Sequence, residues 1–177
     1  LVQSSIYENF KEALIKAVND FKIGPVISKE HKEKVLSYIE LAQQEGGEIL
    51  TGGDISESEG FYINPTLVEG LAIDSRCATE EIFGPVATLH SFDEDADAID
   101  FANITDYGLA GSVWCKDESR ATEIAEQIES GMVWINTWLH RDLRVPFGGV
   151  KASGVGREGG MWSVGFFSEA INICVKH

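Results

Sequence analysis

Cysteine is scarce in this chain: Cys77, Cys115 and Cys174 are the only three in 177 residues. They are odd in number and widely spaced, with no C-x-x-C pair, which argues against both a disulfide framework and a zinc site. No metal is expected. Long apolar runs are missing as well; none approaches the roughly 18 residues that cross a bilayer, so membrane insertion is set aside. Positive charge is thin, with 14 Lys and Arg against 29 Asp and Glu, a net charge of −15 and a pI near 4.5. Such a field repels phosphate backbones, and nucleic acid is dropped as a partner. No basic segment leading into an apolar one opens the chain, so a reducing cytoplasm is the expected setting. Recognisable nucleophiles are also lacking: there is no G-x-S-x-G elbow, no H-E-x-x-H and no cysteine in a plausible pairing with a histidine.

What is present reads as an α/β protein. From Ile6 to Phe21, apolar residues recur at helical spacing, which predicts one amphipathic helix. Ser28 is a good N-cap for a second, whose stripe is Val35, Ile39 and Ala42 and whose end is marked by Gly46-Gly47. A short apolar run at Ile49 to Thr51 follows, then "FYINPTLV", which Pro65 confines to an irregular or edge strand. Thereafter "PVATLHSF", "DEDADAIDFANI", "LAGSVWC", a helix capped by Asp117 with Ala121, Ile124, Ala125 and Ile128 on one face, and "MVWINTW" give β-α-β-α-β. Strands without polar alternation, separated by helices, predict a parallel sheet with helices on both faces. Ile171, Ile173 and Val175 alternate with Asn172 and Cys174, predicting a last strand suited to joining another subunit's sheet.

Ligands of such sheets lie beyond the carboxyl ends of the strands. The loop after "MVWINTW" therefore draws notice, and it concentrates Arg141, Arg144, Lys151 and Arg157 against Asp142 alone within 141–157. Arg141 and Arg144 read either as a guanidinium fork for a substrate carboxylate or as partners of Asp142 and other acids. Phe147, between Pro146 and Gly148-Gly149, reads as a core residue or as a ring held in a ligand-facing turn. Upstream, "TEEIFGPV" sets two carboxylates and Phe83 before a strand. A carboxylate can accept from both hydroxyls of a ribose and a ring can pack beside a nicotinamide, while a plain surface turn with Phe83 in the core is the alternative. Gly154 to Gly159 spells a G-x-G-x-x-G, but a glycine turn precedes it and no acid follows at ribose distance, so its glycines are read as permitting close backbone bending.

In this order, "EEIFGPV", "SGMVWIN" and "PFGGVKASGVGREGG" make a chain that resembles the carboxyl-terminal part of the aldehyde dehydrogenase superfamily over essentially its whole length. "RDLRVPFGGVKASGVGREGG...NICVKH" most resembles the branch acting on 2-hydroxymuconic and 2-aminomuconic semialdehydes. The resemblance implies a partial catalytic domain over residues 1–167 and an oligomerisation strand over 168–177, assembled as a homodimer or homotetramer. It implies that Glu81 binds the ribose hydroxyls of NAD (NADP being open), that Phe83 lies beside the nicotinamide, and that Phe147 lines the aldehyde pocket. Arg141, and secondarily Arg144, are expected at the carboxylate of a small semialdehyde substrate.

The resemblance also implies that the nucleophilic cysteine lies a few residues before the position of Leu1, with the activating glutamate, the oxyanion asparagine and the main cofactor domain further upstream. No catalytic residue is expected in this chain, which reads as part of something longer and, taken alone, as inactive. A non-catalytic folding or association module, or a dehydrogenase for another aldehyde, is the alternative function. One local departure stands out: a family loop of about ten residues is absent where Phe21-Lys22-Ile23 runs straight into Gly24-Pro25.

Overall fold

The structure, a computed structural model, describes residues 1–54 and 60–177. It divides into two compact units, Leu1–Ile104 and Thr105–His177.

The first unit runs β1 (Val2–Gln3), α1 (Tyr7–Asp20), α2 (Lys29–Gln44), β2 (Glu48–Thr51), β3 (Thr66–Glu69), α3 (Arg76–Thr79), β4 (Val86–Leu89), β5 (Ser91–Phe92) and α4 (Asp95–Asn103). The Ser28 hydroxyl accepts from the His31 N–H at 3.2 Å, satisfying one of the unpaired donors of the first turn of α2. Val35, Ile39 and Ala42 are its buried face, and Gly46 takes φ +89 just beyond its end. β3 is the middle strand of the order β2-β3-β4, antiparallel to β2 and parallel to β4. This corrects the edge reading: Pro65 sits just before the first hydrogen-bonded residue, where its missing N–H is not needed. Leu67 packs toward Leu14 and Ile15 of α1, whereas Val68 packs with Ala42 of α2. Adjacent strand residues point to opposite faces, so the short connection after Phe21 carries the chain from one face of β3 to the other. "PVATLHSF" is broken at His90 into β4 and β5, and β5 pairs with β1 in parallel.

The second unit runs β6 (Tyr107–Gly108), β7 (Ala110–Val113), α5 (Glu118–Ala125), β8 (Met132–Ile135), β9 (Val150–Lys151) and α6 (Gly160–Phe167). β7 and β8 are parallel, Ala110 opposite Met132, with α5 as the crossover, while β6 and β9 are antiparallel. Asp117 caps α5, its carboxylate accepting from the N–H groups of Ser119 at 3.0 Å and Arg120 at 3.2 Å. α5 ends at Ala125, before the expected Ile128, because Gln127 and Ile128 donate to residues three back and tighten the last turn. The fold is α/β, as expected, and among the described residues the strands pair in parallel at β1–β5, β3–β4 and β7–β8 and antiparallel at β2–β3 and β6–β9.

The expected last strand is not formed within this chain. Residues 170–177 make no ladder, and Ile171, Ile173 and Val175 are exposed by 80%, 77% and 70%. Among the described residues, no helix is long and apolar enough to cross a membrane.

Candidate functional site

Each unit carries one candidate surface. In the first, the segment after α3 alternates between anchored and outward-facing residues. Glu80 accepts from Arg76 Nε at 2.8 Å and from the Tyr38 hydroxyl at 2.5 Å; this holds its carboxyl down at about 2, the Arg76 guanidinium being the larger cause. Ile82 is buried among Val35, Ile39 and Ile63. Between and beyond these anchors, Glu81 faces solvent and Phe83 is 72% exposed. The Glu81 carboxylate takes no hydrogen bond or ion pair among the described residues; only its backbone carbonyl is used, by Lys34 Nζ at 3.0 Å.

Phe83 is held outward at φ +57, a region that non-glycine residues occupy only when neighbours impose it. The neighbours are identifiable. His31 Nε2 lies 2.7 Å from the Phe83 carbonyl oxygen, the His31 ring stacks at 5.9 Å, and a Cβ on Gly84 would fall 2.5 Å from Val35 Cγ2. Gly84 thus lets the turn close onto the core while Phe83 points away. The core alternative for Phe83 is corrected by its exposure: Ile82 takes the core position instead.

In the second unit the loop from Asn136 to Gly149 follows β8. Asn136 continues the β7–β8 pairing with its side chain, its amide carbonyl accepting from the Cys115 N–H and its amide nitrogen donating to the Cys115 carbonyl, both at 2.8 Å. Trp134 Nε1 donates to the His140 carbonyl at 2.9 Å, which fixes the chain just before Arg141. Phe147 and Glu158 exchange two backbone hydrogen bonds of 2.8 Å, and Gly159 starts α6 with its N–H on the Ser163 hydroxyl at 2.8 Å. These elements line an open cavity of about 500 Å³, with Met132, Trp134, Arg141, Leu143, Phe147 and Glu158 among its walls, a volume typical of small-molecule sites.

The four positive residues separate clearly. Arg144 grips Asp142 with Nε at 2.9 and 3.0 Å and Nη2 at 2.5 Å, which lowers the carboxyl of Asp142 and raises the guanidinium of Arg144. Lys151 pairs with Glu129 at 2.6 Å. Arg157 donates to the carbonyls of Gly149 at 2.8 Å and Gly156 at 2.7 Å, clamping the glycine loop; the rejected dinucleotide motif is a backbone bend of this kind. Arg141 differs. Its guanidinium carbon lies 4.1 Å from the centre of the Phe147 ring, its carboxylate partner Glu158 is distant at 3.7 Å, and it lines the cavity. A cation over an aromatic face beside a half-apolar cavity can hold a carboxylate while the ring accepts a flat chain. Arg144 does not line this cavity; its bidentate grip on Asp142 favours the ion-pair reading for that residue.

Cys77 is buried and donates to the Tyr38 carbonyl at 3.3 Å, and burial, with the Glu45 carboxylate second, pushes its thiol up to about 12. Cys115 serves the Asn136 pairing through its backbone, and Cys174 is exposed in the tail. Sequence reasoning passed over Glu158 and Trp134. Glu158 lay inside the rejected motif, and nothing in the spacing signals its pairing with Phe147.

Comparison with known proteins bears on these surfaces. The profile of the aldehyde dehydrogenase family matches residues 1–173. The chain is 44% identical over 190 residues to a 2-aminomuconic 6-semialdehyde dehydrogenase of a Pseudomonas species, covering 99% of this chain and 39% of the relative. It is 48% identical over 158 residues to a 2-hydroxymuconic semialdehyde dehydrogenase of Pseudomonas putida, covering 86% and 32%. The chain therefore spans well under half the length of these relatives. Among solved structures, an aldehyde dehydrogenase of Bacillus cereus in complex with NAD+ superposes with a TM-score of 0.91 at 35% identity, over 95% of this chain and 36% of that one. A betaine aldehyde dehydrogenase of Staphylococcus aureus with NAD+ gives 0.89 at 37%, over 94% and 36%.

Proposed function

We propose, from the premise that the chain belongs to the aldehyde dehydrogenase family, that it supplies a cofactor-facing and a substrate-facing surface to an enzyme oxidising a carboxylate-bearing semialdehyde, such as 2-hydroxymuconic or 2-aminomuconic semialdehyde, to the acid. The observation that carries this reading is the disposition of Arg141: on the cavity wall, 4.1 Å over Phe147, with only a loose carboxylate partner among the described residues.

Arg141 binds the substrate carboxylate and Phe147 supports the unsaturated chain. A charge-assisted bond is worth about 1.5 to 3 kcal/mol. Arg141 is 46% exposed, and screening holds its contribution to the lower end, about tenfold in affinity. Arg144 keeps the loop closed through Asp142, a supporting role.

The first unit's surface suits NAD+. The exposed Glu81 carboxylate, whose oxygens are unengaged among the described residues, accepts from the two hydroxyls of a ribose, and the outward ring of Phe83 packs beside a flat aromatic cation. NAD+, when bound, accepts the hydride removed from the substrate. The chain's own residues bind and orient; the thiolate that attacks the aldehyde is assigned to polypeptide outside this sequence, since Cys77, Cys115 and Cys174 are placed as described above. In the complete enzyme, residues 1–167 act as part of the catalytic domain, and 168–177 join a neighbouring subunit's sheet to form a homodimer or homotetramer in the cytoplasm.

The test is steady-state NADH formation by the full-length enzyme with a muconic semialdehyde and with an unsubstituted aliphatic aldehyde of similar length. A kcat/KM higher by at least about tenfold for the former is expected, with no turnover by the 177-residue chain alone. Equal kcat/KM on both would remove the carboxylate from the reading.

A further inference from the structure

Resting on that reading and deepening it, we propose that Glu158 is a positioning residue that sets specificity. Its carboxylate holds Arg141 when no anion is bound, and it is exchanged for the carboxylate of the substrate.

Three observations lead here. The first is distance. Arg141 Nη2 stands 3.7 Å from Glu158 Oε1, with the side chains 46% and 68% exposed, whereas Arg144 and Asp142 in the same loop meet through three contacts of 2.5 to 3.0 Å. A pair this open and this solvated is among the weakest ion pairs, so an incoming carboxylate can replace it. The second is placement. Arg141, Phe147 and Glu158 all line the one cavity, so the Glu158 carboxylate and a ligand carboxylate compete for the same guanidinium in the same space.

The third is how Glu158 is held. Its backbone is fixed by the two hydrogen bonds with Phe147, and Phe147 carries the ring beneath Arg141. The guanidinium therefore keeps its place over the ring when the carboxylate swings aside. Like charges also repel, so Glu158 disfavours a second anion while it remains on Arg141. The outcome is an Arg141 that is oriented but attenuated. A ligand without a carboxylate gains nothing from it, and one with a carboxylate must displace Glu158. The same competition favours release of the oxidised product, which carries one more carboxylate than the substrate.

The experiment measures muconate binding by calorimetry, and KM for both aldehydes, in the full-length enzyme carrying Glu158→Gln, Arg141→Ala or both. The Gln side chain keeps the shape and leaves the backbone pairing with Phe147 intact. Muconate should bind roughly two- to fivefold more tightly to Glu158→Gln, the range that a surface ion pair is worth. KM for the carboxylate-bearing aldehyde should fall alike, so that its ratio to the KM for the neutral aldehyde drops roughly two- to fivefold. In the Arg141→Ala background, Glu158→Gln should have no further effect on muconate, since the competition needs the guanidinium.

Unchanged or weaker muconate binding by Glu158→Gln, in an enzyme where Arg141→Ala weakens binding about tenfold, overturns the role of Glu158 and leaves the carboxylate site standing. Wild-type muconate binding by Arg141→Ala overturns both. If the Gln variant fails to fold, Glu158→Asp, which lengthens the contact by about one methylene, is read the same way: tighter binding supports the exchange, and unchanged or weaker binding refutes it.

Discussion

Replacing Gly131 by alanine adds a methyl group where two backbone segments touch. A Cβ on Gly131 falls 1.7 Å from the carbonyl oxygen of Gly148, 2.7 Å from its carbon and 3.1 Å from Gly149 Cα. Non-bonded carbon contacts sit near 3.5 to 4.0 Å, so the segments must separate by roughly 1.5 to 2 Å. Neither is free to do so. The Gly131 N–H donates to Gly108 at 3.0 Å, Val150–Lys151 pairs with Tyr107–Gly108, and Arg157 clamps the Gly149 carbonyl. Overpacking costs about 1 to 3 kcal/mol, and a backbone clash lies at the upper end, about 3. For a chain of this size that corresponds to a Tm lower by roughly 6 to 12 °C. The displaced segment begins at Phe147, so the ring under Arg141 moves with it, and KM for the carboxylate-bearing aldehyde should rise by about tenfold or more. Thermal unfolding followed by circular dichroism gives the first quantity and NADH formation the second. A Tm within about 2 °C of wild type, the effect of an ordinary surface change, would refute the argument that this contact locks the loop.

The Glu80 carboxyl is held at about 2, below an ordinary 4.5, by Arg76 first and the Tyr38 hydroxyl second. A depressed folded value means stability that is present above the unfolded value and lost as pH falls from about 4.5 toward 2. Glu80→Gln should flatten the acid limb of urea midpoints in that window, and an unaltered limb would remove Glu80 as a cause. The thiols give a further expectation. Cys174 is exposed and Cys77 buried, so a thiol reagent at mildly alkaline pH should label Cys174 in the folded chain and Cys77 only after denaturant, as a peptide map would show; equal rates would contradict the burial of Cys77.

Much of the fold was legible because its signals are local. Ser28 and Asp117 cap the helices that follow them, and Val35, Ile39 and Ala42 bury as their spacing indicated. β7-α5-β8 forms where apolar runs flank a capped helix. The misses arise where a distant partner decides. Pro65 marked an edge, yet β3 is central because Pro65 precedes the first ladder residue. The eight residues of α6, rich in glycine and aromatics, carry little helical signal; Ser163 turning back onto the Gly159 N–H helps start the helix. At the site, sequence named Arg141 and Arg144 together and ranked Arg141 first. Side-chain geometry separates them, since Asp142 lies two residues before Arg144 and chelates it. Glu158 was invisible because its tie to Phe147 crosses eleven positions of chain through backbone alone.

The most direct measurement compares KM for a muconic semialdehyde and for an unsubstituted aliphatic aldehyde across wild type, Arg141→Ala and Arg144→Ala in the full-length enzyme. Arg141→Ala should raise KM about tenfold on the first aldehyde and little on the second, while Arg144→Ala, whose charge is already taken up by Asp142, should change the ratio of the two hardly at all. Equal increases on both aldehydes for Arg141→Ala, or a selective increase for Arg144→Ala instead, would contradict the assignment of Arg141 to the substrate carboxylate.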